Sequence, residues 1–587
     1  MFSLVVSSTL IPTAAARLYK LDQHEDDGAV DSPSDFMANV GNRVVTSIVS
    51  VNRAIQKKPS VAVTFILIML VAVAGLSYML WPKVEYLPSG NRNFVFMRIS
   101  PPPGYNMAEL TRMGEIISDD LKPYWNTDPG SPEADQLDAP IISYYFFFAD
   151  TRGVFVGCQS IDPMRVSEFI PIMKKVGTRF PGTNAMASQS SLFERGISAG
   201  RSIDVEITGG ELEDLVMIGR RVMSLLNTTG DDGGELLPGA QAMPSPSLDL
   251  SSPEIHVLPK TIEASQLGMN SLDLGYTADV FVDGGYAGDF YIGGDKLDIT
   301  IKGDRSAGLK TQDLESLPVA TRAGQLVPFS ALADINYSSG PERINRRERL
   351  RAITVQVRPP PEIAMEVAME RIENKVIQPL QTDGTLAEGY KIHLSGAADK
   401  LRQTWRALRS NFLLALLITY LLMAALFESW LYPLVIIVTV PLGAVGGLIG
   451  LAILNIFVLQ PLDVLTMLGF VILIGTVVNN AILIVHQSLN HIRLEGMPHR
   501  DAIPAAVRSR VRPICITTLT TVLGLLPLVL FPGAGSELYR GLGSVVLGGL
   551  VISTILTLVL VPTVFTVTMD ARLAVSQWLE NRRQPSV

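Results

Sequence analysis

The sequence is poor in the groups that usually carry chemistry. Its 587 residues hold 2 cysteines. Cys158 stands in a mixed, charged stretch and Cys515 in an apolar run, which rules out a disulfide framework or a metal-thiolate cluster. The 6 histidines are scattered, and no nucleophile-base arrangement or metal-ligand spacing can be picked out, so neither an enzyme nor a bound metal or cofactor is expected. Charged residues make up 18% of the chain and leave a net charge of −8, with no basic footprint for nucleic acid. The Gly-rich VDGGYAGDFYIGGDKLDITIKG lacks the Lys-Ser/Thr pair and following helix of a phosphate loop and reads as hairpin strands with flexible turns.

Apolar sequence is abundant instead: 48% of residues are hydrophobic and the mean hydropathy is +0.30. Residues 61–82 carry no charge and are long enough to cross a hydrocarbon layer of about 30 Å. Further spans are expected near 433–458, 464–485, 514–532 and 541–568, with a shorter one at 412–427 flanked by Trp430 and Tyr432 as interface anchors. Lys57 and Lys58 precede the first span, and Arg493, Arg500, Arg508, Arg510 and Arg512 lie between two late ones. By the positive-inside rule these segments are cytoplasmic, and the long stretch between the first two spans falls outside. Residues 34–57 space Phe36, Val40, Val44, Ile48, Val51 and Ile55 by three and four, an amphipathic helix along the inner membrane surface.

The outer stretch, 84–408, alternates strand-like and helical patterns. NFVFMRIS, a helical AELTRMGEIISDDL, ISYYFFFA, GVFVGCQS and a helical VSEFIPIMKKV come first. IDVEIT, a helical ELEDLVMIGRRVMSLL and PEIHVLP repeat the order, so two ferredoxin-like βαβ units are expected, with TIEASQLG as a further helix. TGDDGGELLPGAQAMPSPSLDLSSP reads as a surface loop. The expected fold is a polytopic α-helical membrane protein with about six complete transmembrane helices and a large periplasmic α+β domain.

FESWLYPLVIIVTVPLGAVGGLIG, GTVVNNAILIV and RSRVRPICITTLTTVLGLLPL, together with SPEIHVLPKTIEASQLGMNSLDL, GQLVPFSALADI and PERINRRERLRAI, resemble the resistance-nodulation-division superfamily of efflux transporters, hydrophobe/amphiphile type, in its C-terminal half. The resemblance implies a proton-driven exporter of hydrophobic or amphiphilic compounds in a bacterial inner membrane. It also implies a homotrimer with a periplasmic adaptor and an outer-membrane channel as partners. By the same likeness, 1–18 is the remnant of a membrane helix, 19–59 a cytoplasmic linker with the surface helix, and 60–83 a membrane span. Residues 84–408 are then the porter domain with a docking-type hairpin, 409–570 a five-helix bundle and 571–587 a cytoplasmic tail, with the transporter's first half expected as a separate partner. A truncated, non-transporting fragment and a heavy-metal exporter are the alternatives; Met186, Met217, Met223 and Met243, the thioethers weighed for the latter, show no pairing.

Thr476, Asn479, Asn480, His486 and Gln487 form a polar stripe along one apolar span, and Arg510, Thr517 and Thr521 share a face of the next. Intramembrane polar groups need partners, so the two stripes are expected to meet. The resemblance makes Asn479, Asn480, Arg510 and Thr517 proton-relay candidates. Asn479 stands where drug-efflux members carry a Lys, and an amide can neither titrate nor neutralise a carboxylate. No span holds an Asp or Glu in its apolar centre. In YYFFF, at 144–148, strand alternation puts Tyr145 and Phe147 on one face, and these two are the substrate-path candidates, set against plain core packing. The overlapping pairs Gly443 with Gly447, Gly446 with Gly450 and Ser544 with Gly548 are expected to let helix backbones approach closely.

Overall fold

A computed structural model describes residues 33–86, 92–150, 153–190, 201–228, 230, 234–304, 311–531, 533 and 536–583. The expected helix remnant at 1–18 lies outside them. The chain opens with α1 (Pro33–Gln56) and α2 (Pro59–Met79), broken by Pro59, which as a first-turn residue of α2 loses no helical hydrogen bond.

A first sheet unit follows: β1 (Val95–Ser100), α3 (Met107–Trp125), β2 (Ile142–Asp150), β3 (Gly153–Ser160), α4 (Phe169–Gly177) and β4 (Asn184–Gln189). Asn106 caps α3 by accepting from the Glu109 N–H. The strands lie antiparallel in the order β2-β3-β1-β4, and alternation turns Val95, Met97, Ile99, Val154, Val156 and Cys158 into one core under the helices.

The second unit contains β5 (Ile203–Gly209), α5 (Leu212–Thr228) and β6 (Gln241–Ser245), then an insert. The insert comprises β7 (Ser252–Pro259), α6 (Thr261–Gln266), α7 (Ser271–Val282), β8 (Gly285–Ile292), β9 (Asp295–Ile301), β10 (Pro318–Ala320), β11 (Leu326–Pro328) and β12 (Ala333–Gly340). The unit closes with β13 (Asn345–Arg347), β14 (Leu350–Arg358), α8 (Met365–Ile372, running on as a π turn to Ile377 and a helical turn to Thr382) and β15 (Lys391–Gly396). Its sheet runs β13-β14-β5-β15 with β6 also on β14, the same relative order as the first. The surface-loop expectation is corrected here: that stretch holds the pairing strand β6, whose short Gln-Ala-Met-Pro-Ser run hides a strand behind a proline. PEIHVLP pairs instead with β12 in the insert, and TIEASQLG goes with it.

The membrane part follows without a break. β15 passes through Gly396, at φ 74, directly into α9 (Ala397–Phe427). Then come α10 (Leu431–Ile437), α11 (Thr439–Phe457), α12 (Val464–Arg493), α13 (His499–Leu530) and α14 (Arg540–Arg583). Among the described residues 6 helices are long and apolar enough to cross a membrane, α10 and α11 counting together. Gly446 and Gly450 on α11 pack against Gly548 and Ser544 on α14 so tightly that a Cβ on Gly548 would fall 2.5 Å from the Gly446 carbonyl oxygen. Ser544 Oγ donates to the Gly450 carbonyl at 2.9 Å. The small-residue pairs therefore form the seam between these two helices.

Sheets and bundle also meet at a buried joint. Val84 bridges Leu462 in the α11–α12 connection, and the Glu85 N–H donates to the Leu462 carbonyl. Glu85, buried, accepts from Arg201 Nη2 at 2.8 Å, while Arg201 also donates to the carbonyls of Pro360 and Ile363. Asp463 caps α12 through the Thr466 N–H and accepts from Gln460. Burial pushes its carboxyl up to about 6 against the pull of the Thr466 bonds, and nearby Glu85 adds to the rise.

Candidate functional site

α12 and α13 run antiparallel, and the two polar stripes meet at a single point. Arg510 Nη2 donates to Gln487 Oε1 at 2.6 Å, and the Gln487 amide nitrogen lies 3.2 Å from His491 Nε2. A charged hydrogen bond of this kind satisfies a guanidinium where few other acceptors exist. Further into the bundle, Asn480 Nδ2 donates to Thr554 Oγ1 at 3.1 Å, and Thr554 shares a second 3.1 Å hydroxyl contact with Thr518. Asn480, Thr554 and Thr518 thus join α12, α14 and α13. Thr554 was missed in the sequence although it obeys the same rule, a polar group inside an apolar run.

Asn479 and Thr517 lie elsewhere, on the outside of the pair. Both are exposed, and Thr517 Oγ1 turns back to its own helix at the Ile514 carbonyl, 3.0 Å away. Thr476 and Thr521 likewise bond carbonyls of their own helices. The four relay candidates therefore split into a buried Asn480, a paired Arg510, and an open polar face carrying Asn479 and Thr517. The apolar part of α13 is almost entirely exposed.

The first sheet carries aromatic residues on both faces. Tyr145 and Phe147 turn toward α3 and join the core; a Cβ on Gly114 of α3 would fall within the Phe147 ring. Burial pushes the Tyr145 phenol up to about 12, with Ser118 beside it, and pushes the Cys158 thiol to about 12. The helix-free face holds Phe94, Phe96, Tyr144, Phe146, Phe148 and Phe155, with successive ring centroids 5.4 to 6.5 Å apart. Gly157 makes room for them, since a Cβ there would lie 2.6 Å from Phe146 and 2.7 Å from Phe94.

Arg358, at the end of β14, reaches across from the second unit. Its guanidinium sits 5.7 Å from the Phe96 ring centroid and donates to Ser188 Oγ. Burial lowers its pKa to about 10, opposed by the charge of Asp204, whose own carboxyl burial raises. Along β1 from the aromatic face, a cavity of about 400 Å³ opens between the units, lined by Arg98, Pro101, Arg220, Met243, Leu248 and Arg343 among others. Among the described residues no group of three or more His, Cys, Asp or Glu could hold a metal ion. The methionines weighed for metal passage sit apart on β4, α5 and β6.

Membrane-length helices, a sheet-rich insert between the first and second of them, and polar contacts buried between spans define a polytopic membrane protein. The chain belongs to the AcrB/AcrD/AcrF family, matched over residues 1–569, and so to the resistance-nodulation-division superfamily. It is 30% identical over 302 residues to the toluene efflux pump membrane transporter TtgB of Pseudomonas putida, covering 51% of this chain and 28% of that protein. It is 31% identical over 305 residues to the multidrug export protein AcrF of Escherichia coli, covering 52% and 28%. With the multidrug resistance protein MdtC of Erwinia amylovora it shares 33% identity over 255 residues, covering 43% and 24%. The aligned stretch thus spans under a third of the length of these relatives.

Proposed function

We propose that this chain supplies the second-half architecture of a proton-driven exporter of hydrophobic or amphiphilic compounds, and that the carboxylates of the proton relay come from helices outside the residues described. The observation that carries the reading is the open polar face of α12 and α13. Asn479 stands exposed at a depth where lipid would leave its amide poorly satisfied, so a further helix bearing polar or acidic groups belongs against it and the neighbouring Thr517. Arg510, held by Gln487 at one end of that face, is placed to answer a carboxylate on the covering helix. Asn479 can hydrogen-bond such a carboxylate but cannot neutralise it.

In this reading 84–408 is a periplasmic porter domain of two ferredoxin-like units, with the β7–β12 insert as a docking element, in the inner membrane of a two-membrane envelope. A homotrimer with a periplasmic adaptor and an outer-membrane duct completes the path. The substrate surface is the helix-free aromatic face with Phe146, Phe148 and Phe155, rather than Tyr145 and Phe147, because only the former side is open. The test is dye efflux from pump-deficient cells that make this chain together with a first half. Arg510→Ala is expected to abolish export while leaving the protein in the membrane; export at the unsubstituted rate would refute a relay role.

A further inference from the structure

Helix α14 contains Pro562, which has no N–H to give to the carbonyl of Leu558 one turn earlier. A carbonyl left without a partner inside a membrane bundle is costly, and proline-containing spans persist where a neighbouring helix satisfies the freed group. That neighbour is present. Asn52 of α1, with no exposed surface, directs Nδ2 to the Leu558 carbonyl at 2.9 Å, although the two residues are 506 positions apart. The same nitrogen lies 3.0 Å from the Ile48 carbonyl of its own helix, and Gln56 donates to Asn52 Oδ1 at 3.4 Å.

The side of α1 that meets the bundle follows the apolar stripe read from the sequence only in part, Ile48 alone of its members among the described residues packing on the bundle core. Val45, Val49, Asn52 and Gln56 are buried, whereas Val44 and Val51 of the stripe are exposed. An asparagine and a glutamine at the centre of a contact are poorly explained by apolar burial and well explained by a backbone acceptor opposite them.

We infer that Asn52 is a positioning residue that stands in for the missing N–H of Pro562 and latches the surface helix α1 to the break in the α14 hydrogen-bond ladder. The segment of α14 beyond the break carries Asp570, which accepts from His499 at 2.7 Å and from Arg500 at 3.0 Å at the start of α13. α13 in turn carries Arg510. The latch therefore holds α1 to α14 at the break, and the Asp570 pairs tie the segment beyond it to the helix that presents the guanidinium. It stands apart from the transport reading, since the contact exists whether or not protons flow.

A double-mutant cycle on the purified full-length chain in detergent tests it, read by thermal unfolding midpoint. Asn52→Leu is expected to lower the midpoint by several degrees. In a Pro562→Ala background, where residue 562 regains its N–H and closes on Leu558, the same substitution is expected to cost less than half as much. An equal drop in both backgrounds would overturn the latch, because the loss would then be one of packing alone. If Asn52→Leu does not accumulate in membranes, recovery of the Asn52→Leu/Pro562→Ala protein gives the same support. Failure of that pair while Pro562→Ala alone accumulates would overturn the inference.

Discussion

Phe147 and Phe148 are neighbours in one strand, yet the fold gives them opposite work. Phe147 packs under α3 against Gly114, whereas Phe148 lies 48% exposed beside Phe155 on the open face. Phe147→Ala should therefore destabilise the sheet unit by about 3 kcal/mol, measured by denaturant unfolding, with efflux lost only through reduced folded protein. Phe148→Ala should leave the unfolding curve nearly unchanged and alter which aromatic dyes are exported. The sequence separated these two faces by alternation but could not say which one a helix covers, since that depends on where the chain returns after β2. It placed Asn479 and Asn480 in one stripe for a similar reason: one residue is 100° of helix, enough to move a side chain from a buried contact with Thr554 to an open face. Asp463 has a folded-state pKa raised to about 6, so the folded chain holds its proton more tightly than the unfolded one. Its contribution to stability should accordingly fall as pH rises from about 4 to 6 and stay flat above. Asp463→Asn, which keeps a capping oxygen for Thr466, should remove that slope from a plot of unfolding midpoint against pH; an unchanged slope would assign it to another group.

Helices were far more legible than strands. A run of apolar residues must be about 20 long to span a bilayer, and nothing in a soluble domain imitates it, so the spans were visible in composition alone. β6 was hidden because it is 5 residues long, contains Pro244 and sits among turn formers; its pairing with β14 is a tertiary fact. The small-residue seam was legible as spacing, and the structure adds its partner. Gly548→Leu would drive a side chain into the α11 backbone, where a Cβ alone already meets the Gly446 oxygen at 2.5 Å and the Gly450 Cα at 2.7 Å. The expected outcome is loss of the folded bundle, seen as aggregation in size-exclusion chromatography, whereas Gly475→Leu, where a Cβ meets nothing within 4 Å, should behave as the unsubstituted chain.

Across the whole molecule the bundle is finished on one side and open on another. The α10–α11 span and α14 are mostly buried, while α2, α9 and α13 are mostly exposed. Lipid accounts for the apolar surface of α2 and α9 but not for the exposed amide of Asn479 on α12. At the other end, the Arg201–Glu85 pair and the Val84–Leu462 bridge tie the second sheet unit to the α11–α12 connection, so under the proposed relay a shift of α12 would reach the sheets through buried, hydrogen-bonded backbone. The aromatic face and the 400 Å³ cavity lie on the sheet side of that joint. The most direct test of this account is proton-coupled dye efflux in pump-deficient cells, comparing this chain alone with this chain made alongside a six-helix first half that carries intramembrane carboxylates. The account predicts no export by the chain alone and uncoupler-sensitive export by the pair. Uncoupler-sensitive export by the chain alone, at the rate of the pair, would contradict it.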